Sequence, residues 1–175
     1  MSLAGMSPAG MGLVAADLGV PTVAAAAAVL VAASGGLATN PDAWYRGLRV
    51  PAWKPPDWAF GPVWAVIFSL TATAGVLAWS GDPDPAARGV LLAAYAVNGA
   101  LNIAWSVLFF RFRRPDWALA EIAALWLSVA VLVLVAGRVA AGAGLLNVPY
   151  LAWVSVAACL NLRIVRLNAP FREPA

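Results

Sequence analysis

The sequence predicts an all-α membrane protein, a bundle of five transmembrane helices with the N-terminus outside and the C-terminus cytoplasmic. Three observations carry this. The chain is 63% hydrophobic and only 11% charged, against about 25% charged in soluble domains. Five apolar stretches each approach the ~20 residues a helix needs to cross the hydrocarbon. Lys and Arg gather at one set of loops, as cytoplasmic loops do. The mean hydropathy of +0.83 points the same way.

Residues 1–19 hold no Lys or Arg and one acid, Asp17. A secretory signal needs a basic leading region, so this stretch reads as a flexible, Gly/Ala-rich tail that is kept. The membrane domain spans 20–168. The first span, 20–39, is nearly all Ala and Val and lets neighbours approach closely. Gly35-Gly36 and Asn40-Pro41 mark its end. The second span, 59–79, is closed by the turn Gly81-Asp82-Pro83-Asp84-Pro85, which cannot be helical. The third, 89–110, stops at Arg111, Arg113, Arg114 and Pro115. The fourth, 116–137, has Asp116 as an N-cap. The fifth, 145–165, is entered through Asn147-Val148-Pro149, and 169–175 form a polar tail.

Nine basic residues fall at one end: Arg46, Arg49, Lys54, Arg111, Arg113, Arg114, Arg163, Arg166 and Arg172. Two, Arg88 and Arg138, fall at the other. This asymmetry orients the chain. The chain has no histidine, which removes the commonest haem ligand and general base. Its one cysteine, Cys159, excludes an internal disulfide and reads as a small core residue. No basic run reads as nucleic-acid binding. No internal repeat supports an inverted-repeat transporter.

The stretch 40–64, between the first two spans, holds four of the nine tryptophans and five of the thirteen prolines. Proline fixes φ and disfavours helix before it, so Val50-Pro51 and Lys54-Pro55-Pro56 predict a stiff path. That path either seats an interfacial aromatic belt or holds Trp53 and Trp58 in place as a ligand lid, at low ordering cost.

Polar groups inside the spans mark faces turned away from lipid. Asn98, Asn102, Trp105 and Phe109 share one face of the third span, by helical spacing. Ala93, Ala96, Ala100 and Ala104 form a smooth opposite face, suited to another helix of the bundle or to a second copy of the chain. The fifth span aligns Tyr150, Trp153, Ala157, Asn161 and Ile164. The second aligns Phe60, Trp64, Phe68 and Thr71. These stripes are either ordinary core, with Asn joining helices, or the walls of one pocket for a flat apolar ligand. Glu121 is the one acid well inside a span. It reaches the interface or pairs with Arg113 or Arg114.

The residues Trp44-Tyr45, Pro51-x-Trp53-x-Pro55-Pro56-x-Trp58-x-Phe60, Trp64, Asn98-x-x-x-Asn102-x-x-Trp105, Val148-Pro149-Tyr150-x-x-Trp153, Asn161 and Leu167-Asn168 occur in this order. Across 20–168 the chain resembles the tryptophan-rich sensory protein / translocator protein family (TspO/MBR, the peripheral benzodiazepine receptor family). The resemblance implies a five-helix bundle, commonly dimeric, and the smooth face of the third span, with Ala96, Ala100 and Ala104, is the expected homodimer contact. It implies a porphyrin ligand, protoporphyrin IX or a haem-like tetrapyrrole, with no obligatory cofactor. It places Tyr45, Pro55, Trp64, Phe68, Asn102, Trp105, Trp153 and Ala157 in the pocket, under a lid carrying Trp53 and Trp58. It also raises light- and oxygen-dependent porphyrin breakdown at Trp64 and Trp153, and transport of porphyrins or other apolar solutes.

The chain departs from the family in places. After Tyr150 the next basic residue is Arg163, too far for the weak sterol pattern of animal members. Ala52 stands where some bacterial members have a further Trp. Without His, haem has no imidazole ligand. The expected arrangement is Trp64, Asn102 and Trp153 converging beneath the Trp53–Trp58 loop, in a binding and sensing protein of the cell membrane.

Overall fold

The computed structural model describes residues 8–39 and 42–171, with side chains from Gly19 onward. Asn40-Pro41, the first seven residues of the expected tail and the end of the polar tail with Arg172 lie outside the described residues. The elements are α1 (Pro8–Ala38), α2 (Ala43–Arg46), α3 (Asp57–Gly81), α4 (Pro85–Ser106), a π-helical segment (Val107–Arg111), α5 (Pro115–Val139), α6 (Ala141–Leu146) and α7 (Val148–Asn168). The described residues hold five helices long and apolar enough to cross a membrane. They belong to α1, α3, α4 with its π segment, α5, and the α6–α7 pair.

Each start has a local cause. Asp84 caps α4, its carboxylate accepting from the Ala86 and Ala87 N–H groups at 3.0 and 3.3 Å, with Pro85 at the first helical position. Pro115 opens α5 in the same way. Three elements differ from the sequence reading. Helical backbone runs back to Pro8, so the expected tail is helical over 8–19. Ala, Leu and Met favour helix there, and isolated Gly residues cost only about 1 kcal/mol each. A short helix, α2, interrupts the Trp/Pro loop. The fifth span is preceded by α6, from which it is separated by Asn147.

The third span ends in a π segment rather than ordinary helix. The Phe112 N–H donates to the Val107 carbonyl at 3.0 Å, and the Arg114 N–H to Leu108 at 3.0 Å. Arg113 then takes a left-handed φ of 53°, which costs a non-glycine residue about 1–2 kcal/mol. Two contacts hold it there. Its guanidinium pairs with Asp42 at 2.8 Å and lies over the Trp44 ring at 5.9 Å.

α5 is the central helix. It packs on α4, α6 and α7 and also touches α3. Val129, Leu132, Tyr150 and Val154 are fully buried at these contacts. Ala74, Ala78, Ala136 and Ala143 have no exposed surface, so the end away from the Trp/Pro loop packs through small side chains. α1 sits outside this core, against α3 and α4. None of its membrane window is buried.

Candidate functional site

α1 presents Ala24, Ala28, Ala32 and Gly35 to α3 and α4, while α3 answers with Phe60, Trp64 and Phe68. Small side chains facing rings leave space rather than close packing. The result is a cavity of about 950 Å³ bounded by α1, α3, α4, α5 and α7, with the start of the Trp/Pro loop at one end. The volume lies within the range of small-molecule sites. α1 nevertheless approaches its neighbours closely, as its small residues predict: a Cβ at Gly99 of α4 would lie 3.1 Å from the Val31 side chain.

Of the residues singled out in the sequence, Tyr45, Phe60, Trp64, Phe68, Asn102, Trp105, Trp153 and Ala157 line this one cavity. Trp64 stacks on Phe68, their centroids 5.1 Å apart. The Phe60 edge meets the Trp153 ring at 5.6 Å. Trp105 stacks on buried Phe109 at 5.2 Å. These pairs hold the rings in fixed attitudes.

The polar groups are few. The Asn102 amide donates to the Tyr150 hydroxyl at 3.0 Å. Its carbonyl oxygen is directed towards Gly35 on α1, where a Cβ would lie 3.9 Å away. Asp57, Ser106 and the hydroxyl residues Thr39, Ser69 and Thr73 also line the cavity. The Tyr45 hydroxyl donates to Asp57 at 3.1 Å, and Lys54 pairs with the same carboxylate. Burial pushes the Tyr45 hydroxyl above its ordinary value, against the pull of Lys54. Asp42 anchors the loop: the Tyr45 N–H bonded to it at 3.0 Å, then Arg113, hold its carboxyl below the usual range. Asn168 is a second anchor. Its amide donates to the Arg49 carbonyl and accepts from the Arg49 N–H, both at 2.8 Å.

Five expected site residues do not line the cavity. Trp53 and Trp58 are 49% and 76% exposed. Trp53 lies in a turn closed by Lys54 N–H to Pro51 C=O, and Trp58 lies on an outward face of α3. Pro55 lies on the path between them. At the loop end the cavity is lined by Tyr45 and Asp57. Tyr150, 1% exposed, is core and supports Asn102. Asn161 joins helices: its amide donates to the Pro115 carbonyl at 3.0 Å and accepts from the Leu119 N–H at 3.1 Å.

Glu121 also departs from expectation. Arg113 pairs with Asp42 and Arg114 with Asp116, and both Glu121 carboxyl oxygens are buried without a partner. The sequence reading missed Asp57, Ser106, Phe110, Ile122 and Leu125 as wall residues. Helical register offered a signal for two of them. Ser106 follows Asn102 by four residues, and Leu125 precedes Ser128, which accepts from Asn98 at 2.9 Å, by three.

Chemically, the site is an apolar, ring-walled slot with acceptors at isolated points. A model of the TspO/MBR family matches residues 22–167. The chain is 41% identical over 132 residues to the tryptophan-rich protein TspO of Chlorobaculum tepidum, covering 74% of this chain and 82% of that one. It is 36% identical over 141 residues to the protein CrtK of Rhodobacter capsulatus, covering 79% and 86%. It is 34% identical over 130 residues to the translocator protein of Homo sapiens, covering 74% and 77%.

Proposed function

The chain belongs to the TspO/MBR family and is a multi-pass integral membrane protein, and from that premise we propose that it binds a tetrapyrrole within the bilayer and serves as a sensor of it. The observation that carries this reading is the slot of about 950 Å³ walled by Trp64, Phe68, Trp105 and Trp153. A planar conjugated ring stacks on such walls. The isolated acceptors, Asn102 among them, suit a ligand with few polar atoms. Relatives named as sensory and translocator proteins fit a regulatory role.

The test is titration of the purified protein with protoporphyrin, followed by tryptophan fluorescence. Saturable quenching near one ligand per chain is the expected result, and quenching that never saturates removes the reading. Illumination of the complex separates binder from enzyme. A new bilin-like absorbance lost in Trp64→Phe assigns porphyrin oxidation to the cavity rings.

We further propose that the cavity loop faces the cytoplasm and that two copies meet through Ala96 and Ala100 of α4. Both alanines are exposed in the single chain, and a smooth face of small residues supports close packing of a second helix there. Reporters active on one side of the membrane, fused to each terminus, decide the first point. For the second, Ala100→Leu is expected to yield monomers in mild detergent, and a variant that stays dimeric places the interface elsewhere.

A further inference from the structure

Among the described residues, the end of the bundle opposite the Trp/Pro loop carries two basic residues, Arg88 and Arg138. They are far apart in sequence, yet both line one small pocket of about 200 Å³. Asp82 and the side chains of Leu91, Val135 and Val139 also line it. Arg88 is held in place: its Nε–H donates to the Trp79 carbonyl at 3.2 Å, and its guanidinium lies 4.9 Å from the Trp79 ring centre. This fixes one edge and one face of the fork. The terminal NH₂ groups have no acceptor among the described residues, and neither arginine forms an ion pair there.

Helix electrostatics explain only one of the two. Arg138 lies in the last turn of α5, where a cation complements the macrodipole. Arg88 lies at the fourth position of α4, near a positive helix end, where a cation is disfavoured. A flexible cation in that place would extend into water. Arg88 instead lies partly buried against Trp79. The one acid of the pocket, Asp82, accepts from the Asp84 N–H at 3.0 Å and pairs with neither guanidinium, so the pocket keeps an excess of one positive charge.

We propose that Arg88 and Arg138 form a binding site for a phosphate group. Two planar forks with free donors match the several oxygens of a phosphate. The pocket lies at the ends of α3, α4 and α5, where polar headgroups meet hydrocarbon. Leu91, Val135 and Val139, which line the same pocket, suit the first carbons attached to a lipid phosphodiester. A free phosphate ion satisfies the same donors without using those side chains.

The experiment uses the full chain in maltoside detergent, beside Arg88→Gln/Arg138→Gln. Phosphatidylglycerol adducts are counted by native mass spectrometry, and inorganic phosphate is titrated against thermal stability. Adduct occupancy is expected to fall at least tenfold in the double variant (about 1.4 kcal/mol), and the loss marks the site. If inorganic phosphate also raises the melting temperature of the unmodified chain but not of the variant, the site takes free phosphate. If the lipid alone responds, the headgroup is the ligand.

Every other basic residue remains in the variant, so undiminished adducts and an undiminished phosphate response overturn the proposal. Arg138→Gln alone guards against misfolding, because Arg138 is exposed and makes no hydrogen bond or ion pair among the described residues. At least a threefold loss is expected from it, and none overturns the pairing of the two arginines.

Discussion

Trp153→Ala is expected to weaken protoporphyrin binding by about tenfold to a hundredfold. The indole lines the cavity and is fixed by the Phe60 edge at 5.6 Å, so it presents a wall without further ordering cost. Its loss removes a stacking contribution of about 0.5–1.5 kcal/mol. It also removes apolar area worth ~25 cal/mol per Å². Together these approach one to two factors of ten, at about 1.4 kcal/mol each. Trp58→Ala is the matching control. That ring is 76% exposed and outside the cavity, so affinity should stay within about twofold. Titration by fluorescence quenching on both variants, after confirming helical content, decides the point. Equal weakening would return the role to the loop tryptophans, and no weakening in either would leave all the rings as packing.

Gly144→Ala is expected to be the most damaging alanine substitution among the described glycines. A Cβ at Gly144 would lie 2.8 Å from the Gly137 Cα, 2.8 Å from the Val133 carbonyl oxygen and 3.2 Å from the Gly137 nitrogen. All three atoms are backbone of α5, so no side chain can swing aside. Overpacking costs about 1–3 kcal/mol where some relaxation is possible, and this site sits at the top of that range or above it. At about 2–4 °C per kcal/mol for a chain of this length, the melting temperature should fall by on the order of 10 °C. Gly142→Ala meets nothing within 4 Å and should cost nothing, since alanine is the better helix former. Equal melting temperatures for the two variants would show that α6 can move away from α5.

Helical periodicity explains why much of the cavity was legible in the sequence. Trp64 with Phe68, Asn102 with Trp105, and Trp153 with Ala157 are each three or four residues apart, and a shared face follows directly from 3.6 residues per turn. Periodicity identifies a face but not what lies opposite it. Tyr150 and Trp153 belong to one stripe of α7, yet the first meets the core and the second the cavity. Asn161 meets the first turn of α5. No period governs the irregular loop, so its tryptophans could not be assigned a side. The π segment was hidden for a related reason: one wider turn between Val107 and Phe112 leaves no compositional mark. The α6–α7 break fell inside the expected span 145–165, because Leu145 and Leu146 are as apolar as the helix that follows.

α1 gives the cavity one wall, yet none of its membrane window is buried in the bundle. α1 thus stands between the slot and the acyl chains. A ligand in such a place equilibrates with its concentration in the bilayer, and an apolar macrocycle dissolves there first. Occupancy then follows the mole ratio of ligand to lipid, so diluting a proteoliposome sample with buffer changes it little, whereas adding empty vesicles lowers it. A dissociation constant expressed per litre of solution will differ between one detergent preparation and the next. The quantity that carries over between preparations is a partition ratio.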